Sequence, residues 1–295
     1  MNVIQDTRRT SMVLPPPVIQ TKESYSSIWL AKYNDLQNSG TTTARLKRYL
    51  LVEVDEERAS VPMASFCFMT GIINAVIFTA IFIWCGSQTG NTLQLSLAIA
   101  RLLNGQHDYS FHFADQQALC SLISFVLAVF LGAQIGDKIG SKSRAWLFLG
   151  TFIQTLFTIA AAVLMWEGRE SSVADARYDP AWSGTLSFAF TGFLSASMGL
   201  QGVMAKRVGT HFSTTVALTT TWCELMADPK LLDVRRLVAS RDHKIMTVAL
   251  FVLGGFAGRT SLDQIGSART LAIAAGIRLL TSVWWLFAPA KNARL

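Results

Sequence analysis

The sequence predicts an all-α protein, a polytopic transmembrane helical bundle. Of its 295 residues, 51% are hydrophobic and 15% are charged, whereas an average soluble domain has about 25% charged residues. No Asp, Glu, Lys or Arg occurs from Ala59 to Ala100, and further uncharged runs cover 118–136, 145–166 and 182–205. A bilayer-spanning helix needs about 20 apolar residues, and a soluble helix normally keeps one polar face. The runs therefore predict membrane spans.

The amino-terminal region differs from the rest. Residues 1–44 are rich in Ser, Thr, Gln and Asn, which predicts a disordered tail on the cytosolic side. Residues 45–60 form an amphipathic juxtamembrane segment, in which Leu46, Tyr49, Leu50 and Val54 recur at helical spacing. This segment fits a helix on the membrane surface and equally a solvated helix. The first 30 residues lack the apolar core of a cleavable signal peptide.

The transmembrane domain is predicted over residues 61–290 and is followed by a short tail, 291–295. Its fifth segment is the weakest span, since only Ile245 to Gly258 is free of charge. Six segments have the character of full spans: 62–85, 118–136, 145–166, 183–205, 245–262 and 270–289.

Two further apolar segments, 88–104 and 211–226, are short and rich in hydroxyl groups. Each fits a half-helix, a re-entrant loop or a full span. If neither crosses, most Lys and Arg residues of the loops fall on the side of the amino-terminal tail, and this contrast shrinks if both cross. We therefore expect six full spans plus two short broken or re-entrant segments, with an eight-helix bundle as the alternative.

The two halves of the domain resemble each other weakly, which indicates an internal two-fold repeat. GIINAVIF (71–78), SQTGNT (87–92) and LGAQIGD (131–137) are followed in the same order by GLQGVMAK (199–206), HFSTTV (211–216) and LGGFAGR (253–259). If the short segments do not cross, each half has three spans and the second half is inverted. Inverted repeats with discontinuous helices recur in secondary transporters, where the site lies between the halves.

The first candidate binding set is Gln88, Thr89, Asn91 and Thr92. Gly90 breaks the preceding helix, and a new helix starts beside these side chains. A helix start presents free N–H groups and a partial positive charge, which suit an anion or a carbonyl oxygen. The alternative is a tight turn whose polar groups bond one another.

The second candidate set is Ser213, Thr214, Thr215 and Glu224. The hydroxyl groups can donate hydrogen bonds to carbonyls of their own helix. A carboxylate beside a membrane segment instead needs a positively charged partner or contact with water. Glu224 could pair with Arg278, bind a proton or lie at the interface.

Arg278 is the deepest apparent charge, and it is a candidate for solute binding or for a structural ion pair.

Neutral polar residues and glycines also lie within the spans. Asn74, Gln134, Gln154 and Gln201 fit interhelical hydrogen bonds, and Asn74 is in addition a candidate for substrate binding. Glycines recur every four residues, a pattern that lets helices pack closely: Gly132, Gly136 and Gly140, then Gly254 and Gly258.

Motifs for other chemistry are lacking. The sequence has no GxSxG, HExxH, GxGxxG or kinase signature, so we expect no enzymatic activity and no cofactor. His107, Asp108, His112 and Asp115 do not have the spacing of a metal site.

The net charge of +7 reflects orientation in the membrane rather than nucleic-acid binding. The four cysteines form no CxxC pair and are expected to be reduced.

The sequence resembles the YoaK family of uncharacterised multi-pass transmembrane proteins of bacteria and fungi. The resemblance covers about residues 60–290, and its most specific pieces are QTGNT at 88–92 and the Thr-rich segment ending in CELMADPKLL at 223–232. Asn74 departs from the pattern, because many members carry Asp after the glycine. If that carboxylate binds a coupling proton in relatives, this chain lacks it.

Two functions follow as hypotheses. The repeat, the broken segments and Arg278 favour a secondary transporter or permeation protein for a small solute. The alternative is a non-transporting membrane scaffold, assembly factor or lipid-binding protein. The expected partners are the lipid bilayer and a small-molecule solute, and homo-oligomerisation is left open.

Overall fold

A computed structural model describes residues 42–56, 58–104, 110–168, 171–174, 182, 184–210, 212, 215–216, 218–233 and 236–291. Most of the predicted tails, 1–41 and 292–295, lie outside the described residues. The described chain contains eight helices: α1 (Thr42–Leu51), α2 (Ser60–Ile81), α3 (Gln88–Asn104), α4 (Phe113–Ile139), α5 (Arg144–Gly168), α6 (Leu186–Val208), α7 (Leu218–Met226) and α8 (Ala239–Phe287).

Five of these helices, α2, α4, α5, α6 and α8, are long and apolar enough to cross a membrane. Helix α8 has 49 residues, but Gly266 inside it has φ 81° and ψ 169°, a backbone conformation that no helix contains. This glycine divides α8 into a first arm, 239–265, and a second arm, 267–287. The six apolar segments predicted from sequence correspond to α2, α4, α5, α6 and these two arms.

The two arms of α8 run in opposite directions, as their contacts with α2 show. Gly254 in the first arm contacts the backbone of Phe68, and Thr281 in the second arm lies 2.8 Å from the Ser65 hydroxyl. A straight helix would hold Gly254 and Thr281 about 40 Å apart at about 1.5 Å per residue. Both instead touch neighbouring turns of α2, so the chain reverses at Gly266.

The two short helices do not cross the bundle. Helix α3 stays in the half of the bundle away from α1, because both Gln94 and Arg101 bond the Asp115 carboxylate in the first turn of α4. Helix α7 has nine residues, about 14 Å of helix, which is half of a hydrocarbon core about 30 Å thick. The structure thus agrees with six spans and two short segments, rather than with an eight-span bundle.

The halves of the bundle have inverted topology. Helix α2 starts on the side of the bundle where α1 lies, which we name the amino-terminal side. Helix α4 ends on the same side, because Gly136 near its end contacts Trp146 beside the start of α5. Helix α6 runs towards the amino-terminal side, because Ser187 near its start bonds Gln117 near the start of α4, and Arg207 near its end pairs with Asp137 near the end of α4. The sequence repeat therefore matches α2, α4 and α5 to α6 and the two arms of α8.

Glycines set the closest helix contacts, as predicted. A Cβ on Gly254 would overlap the Phe68 carbonyl of α2, and one on Gly258 would lie 2.9 Å from Ile72 Cα. In the other half, a Cβ on Gly199 would lie 2.5 Å from the Phe125 carbonyl oxygen. Gly140 differs from the packing prediction, because its φ of 107° marks the end of α4 instead.

Three distant segments meet on the amino-terminal side in a clasp, which we define as residues 52–56, 142–144 and 288–291. Val54 donates its N–H to the Lys142 carbonyl at 2.9 Å, and Lys291 donates to the Glu53 carbonyl at 2.9 Å. The Arg144 guanidinium donates to the Ala288 carbonyl at 2.7 and 2.9 Å. The clasp therefore joins the entry to α2, the α4–α5 loop and the end of α8.

Candidate functional site

The chain re-enters the bundle directly after α2. Phe82 ends this helix in the left-handed conformation, with φ 59° and its N–H bonded to the Phe78 carbonyl. The predicted span 62–85 thus stops at Ile81, because Phe82 turns the backbone back inward. Cys85 and Gly86 are consequently buried.

A second segment, between α6 and α7, reaches the same place from the opposite end. A Cβ on Gly86 would lie 3.1 Å from Val216 Cγ1, 3.3 Å from Met198 Cε and 3.4 Å from Asn74 Nδ2. Met198 lies midway along α6. We name this meeting of Gly86, Val216, Met198 and Asn74 the crossing point. It lies at mid-bundle between α2 of one half and α6 of the other.

Two buried polar side chains at or beside the crossing point have unused hydrogen-bonding capacity. Asn74 is 5% exposed and donates its Nδ2 to the Thr70 carbonyl at 2.9 Å, but its Oδ1 has no partner. Thr215, next to Val216, is 3% exposed and its hydroxyl also has no partner. Buried polar groups are nearly always hydrogen-bonded, so these two are exceptions that a bound solute could satisfy.

Arg278 is fully buried midway along the second arm of α8. Its Nη1 donates to the Gln154 carbonyl and the Thr158 hydroxyl at 3.3 and 3.2 Å. Its Nη2 donates to Gln201 Oε1 at 3.0 Å and lies 3.6 Å from Met198 Sδ, while its Nε has no partner. Met198 thus connects Arg278 directly to the crossing point.

Glu224 does not pair with Arg278. Its carboxylate is half exposed on the amino-terminal side, 3.9 Å from the Lys244 amine. Helix α7 ends there, and Arg278 lies at mid-bundle, so the pairing that the sequence allowed is wrong. Ser213 and Thr214 lie outside the described residues.

The start of α3 places its candidate residues in two different environments. Asn91 is buried and donates to the Ser121 hydroxyl at 3.0 Å and to Gln88 Oε1 at 2.8 Å. Gln88 is half-buried and also bonds Ser121, at 3.2 Å. Thr89 and Thr92 are exposed, so they point away from this network. Gln88 and Asn91 fix the start of α3 against α4.

The sequence did not single out three residues that complete the arrangement. Gly86 permits the two entering segments to touch, Val216 is the residue it touches, and Met198 joins them to Arg278. The sequence predicts the end of the preceding helix at Gly90, which is wrong: that helix ends at Ile81, and Gly90 lies in the first turn of α3. No sequence signal therefore marks Gly86. Val216 and Met198 carry no signal, because apolar residues in apolar segments are the rule.

A groove of about 540 Å³ lies elsewhere, on the outer face formed by α4, α5 and α6. Its lining is almost entirely apolar and includes Leu127, Leu131, Phe157 and Phe193. A polar solute needs a few placed polar groups to fix its orientation. The crossing point provides such groups and is therefore the stronger candidate site.

Comparisons with known proteins give one match. A protein family described as "Protein of unknown function (DUF1275)" matches residues 63–284. This range contains all but the first three residues of α2, all of α3 to α7, the first arm of α8 and most of the second arm. No curated protein and no solved structure matches the chain.

Proposed function

Because the chain belongs to the DUF1275 family of proteins of unknown function, we propose a function from its own structure: a secondary transporter or permeation protein for a small solute. Family membership confirms the resemblance to uncharacterised multi-pass membrane proteins found in the sequence. It supplies no substrate, so the proposal depends on the arrangement of the bundle.

The meeting of the two entering segments carries the proposal. Irregular backbone at membrane depth is tolerated where it lies within protein or lines a wet cavity. Here two such segments enter from opposite sides and touch at Gly86 and Val216, between inverted halves. Transporters built from inverted repeats bind solute where discontinuous helices meet near the midplane.

The polar groups at the crossing point support a binding role over a purely structural one. Asn74 Oδ1 and the Thr215 hydroxyl have no partner, and each such buried group destabilises the folded protein by about 1–3 kcal/mol. A purely structural role gives no reason to keep these two groups. Buried groups kept in this state are available to a ligand. The scaffold alternative gives them no role.

Flux measurements test the proposal. Purified protein in liposomes should move at least one solute from a panel of ions, amino acids, sugars and organic acids. Gly86→Leu should abolish that flux, because its side chain would fill the space against Val216 and Met198. Gly276→Leu is the matched control, since a Cβ at Gly276 meets no atom within 4 Å. Equal flux in the two folded variants would contradict the proposal.

We also propose that the amino-terminal side faces the cytosol. The described loops and helix ends on that side contain Lys142, Arg207, Lys230 and Lys291, whereas those on the other side contain Arg101, Arg259 and Arg269. Short loops rich in Lys and Arg stay on the cytosolic side.

A further inference from the structure

We propose that the crossing point binds an anionic solute, and that Arg278 provides its positive charge. The inference rests on the proposed transport function and names the substrate class of the same site. It depends on three features of the described residues: an arginine without an acidic partner, two helix starts, and buried groups with unused hydrogen-bonding capacity.

Arg278 is a buried cation without a counter-charge. Among the described residues no Asp or Glu forms an ion pair with it, and its four polar contacts are all neutral. A buried charge is costly unless an opposite charge compensates it. An anion bound beside it would supply this compensation, and the unpartnered Nε–H is available to donate to it.

Two helix starts add positive potential at the same place. Helix α3 begins at Gln88, two residues after Gly86, and α7 begins at Leu218, two residues after Val216. The first turn of a helix presents N–H groups without partners in the helix and a partial positive charge. Gly86 and Val216 touch, so both helices start close to the crossing point and run away from it towards opposite sides.

The unpartnered groups give the site a ligand-binding character that helix starts alone do not provide. The Thr215 hydroxyl has no partner and can donate to an anion. Asn74 Nδ2 has a second hydrogen besides the one on the Thr70 carbonyl, whereas the unpartnered Asn74 Oδ1 is an acceptor and can bond only an N–H or O–H of the solute. Gln201 bonds both Arg278 and the Thr70 hydroxyl, so it links the cation to the helix turn that holds Asn74. A carboxylate, phosphate or inorganic monovalent anion shares the chemistry these donors recognise.

Anion-dependent stability tests the inference on the purified full chain in detergent. Sodium salts of chloride, nitrate, acetate, succinate, phosphate and sulfate are compared at equal ionic strength, and the melting temperature is followed as each is titrated. At least one anion should raise it saturably. In Arg278→Gln the half-saturating concentration should rise about tenfold to a hundredfold, as expected for the loss of a charge-assisted hydrogen bond.

Arg269→Gln is the matched control, because it removes an exposed arginine of the same arm that lies over the Trp166 ring. It should leave the anion effect unchanged. If Arg278→Gln does not fold, Arg278→Lys should retain anion binding. Asn74→Asp should lose it, since a fixed carboxylate would take the place of the ligand's charge. Anion stabilisation that is absent in the wild type, or unchanged in Asn74→Asp, overturns the inference.

Flux separates this inference from the transport proposal. Anion binding that depends on Arg278, without flux of any anion in liposomes, would overturn transport and leave the anion site standing. Flux of a neutral solute that is insensitive to both Arg278→Gln and added anions would overturn the anion site and leave transport standing.

Discussion

Gly254 has no room for a methyl group, because the Phe68 carbonyl of α2 occupies the position of its Cβ. Gly71 has the same relation to the first arm of α8, where the Phe251 carbonyl occupies the space. Helices in lipid associate through close packing and small residues rather than through the hydrophobic effect. These two glycines therefore hold α2 against α8 more directly than any larger apolar side chain could.

Gly254→Ala should destabilise the protein by about 1–3 kcal/mol, the range for overpacking a close contact. Gly276→Ala should be neutral or slightly stabilising, because Gly276 is exposed with open space around it and Ala is the better helix former by about 1 kcal/mol. Denaturant unfolding in detergent measures both. A similar loss in the two variants would show that α2 and α8 do not pack through Gly254.

At the scale of elements, α3 is attached to the bundle by polar contacts at both ends. Asn91 bonds Ser121 near its start, and Arg101 pairs with the Asp115 carboxylate near its end. Its outer face carries exposed apolar residues, among them Leu93, Leu97 and Leu103. Because this apolar face does not pack against the protein, we expect the polar contacts of Asn91 and Arg101 to hold α3 against α4.

The Arg101–Asp115 pair should contribute measurably to this attachment. Asp115 is almost fully buried and Arg101 is partly exposed, so we expect a coupling energy of about 1–2 kcal/mol. A double-mutant cycle with Asp115→Asn and Arg101→Gln, read by denaturant unfolding, gives this energy. Strictly additive effects of the two substitutions would show that the pair does not hold α3.

The clasp should make stability depend on pH. The hydrogen bond from Lys142 lowers the pKa of Glu56 from its ordinary value of 4.5, against a smaller opposing effect of burial. A carboxyl group whose pKa is lower in the folded state stabilises the protein above its unfolded pKa, and the contribution is lost as the pH falls through the folded pKa.

We therefore expect the wild-type unfolding free energy to drop more than that of Glu56→Gln between about pH 6 and about pH 3. Above about pH 6 the difference between the two proteins should be constant. Chemical unfolding in detergent at a series of pH values measures the difference. Parallel pH profiles throughout the range would show that Glu56 does not stabilise the clasp.

At the scale of the whole molecule, inversion of the halves depends on α3 and α7 not crossing. Thr185 precedes α6 and Leu232 follows α7, and both are exposed. If only α6 crosses between them, the two positions lie on opposite sides of the membrane. If the segment 211–226 also crossed, they would lie on the same side.

Labelling with a membrane-impermeant maleimide distinguishes these topologies. Thr185→Cys and Leu232→Cys are made separately in a background without the native cysteines. We expect only Thr185→Cys to react in intact cells, and both to react after permeabilisation. Equal reaction of both positions in intact cells would contradict the six-span topology, and reaction of Leu232→Cys alone would reverse the proposed orientation.

Apolar runs predicted the spans, because membrane insertion depends on local composition. The hydroxyl-rich segments and the repeat predicted re-entrance and inversion, and Asn74, Thr215 and Arg278 were recognised as polar residues in apolar surroundings. The contact of Gly86 with Val216 and the link from Met198 to Arg278 could not be predicted. Each of these contacts joins residues that are far apart in the sequence, and no local sequence pattern predicts such a contact. For the same reason the sequence leaves three alternatives open for Glu224, and the structure places its carboxylate 3.9 Å from the Lys244 amine.

The clasp also imposes an order on biogenesis. Its three segments are synthesised at widely separated times, and residues 288–291 follow all six membrane crossings. The hydrogen bonds of Lys291 and Arg144 to their partners can therefore form only after the second arm of α8 has inserted. Until then the Arg144 guanidinium lacks its acceptor at Ala288 and the Glu53 carbonyl lacks its donor at Lys291, so the entry to α2 is fixed only when the last span is in place.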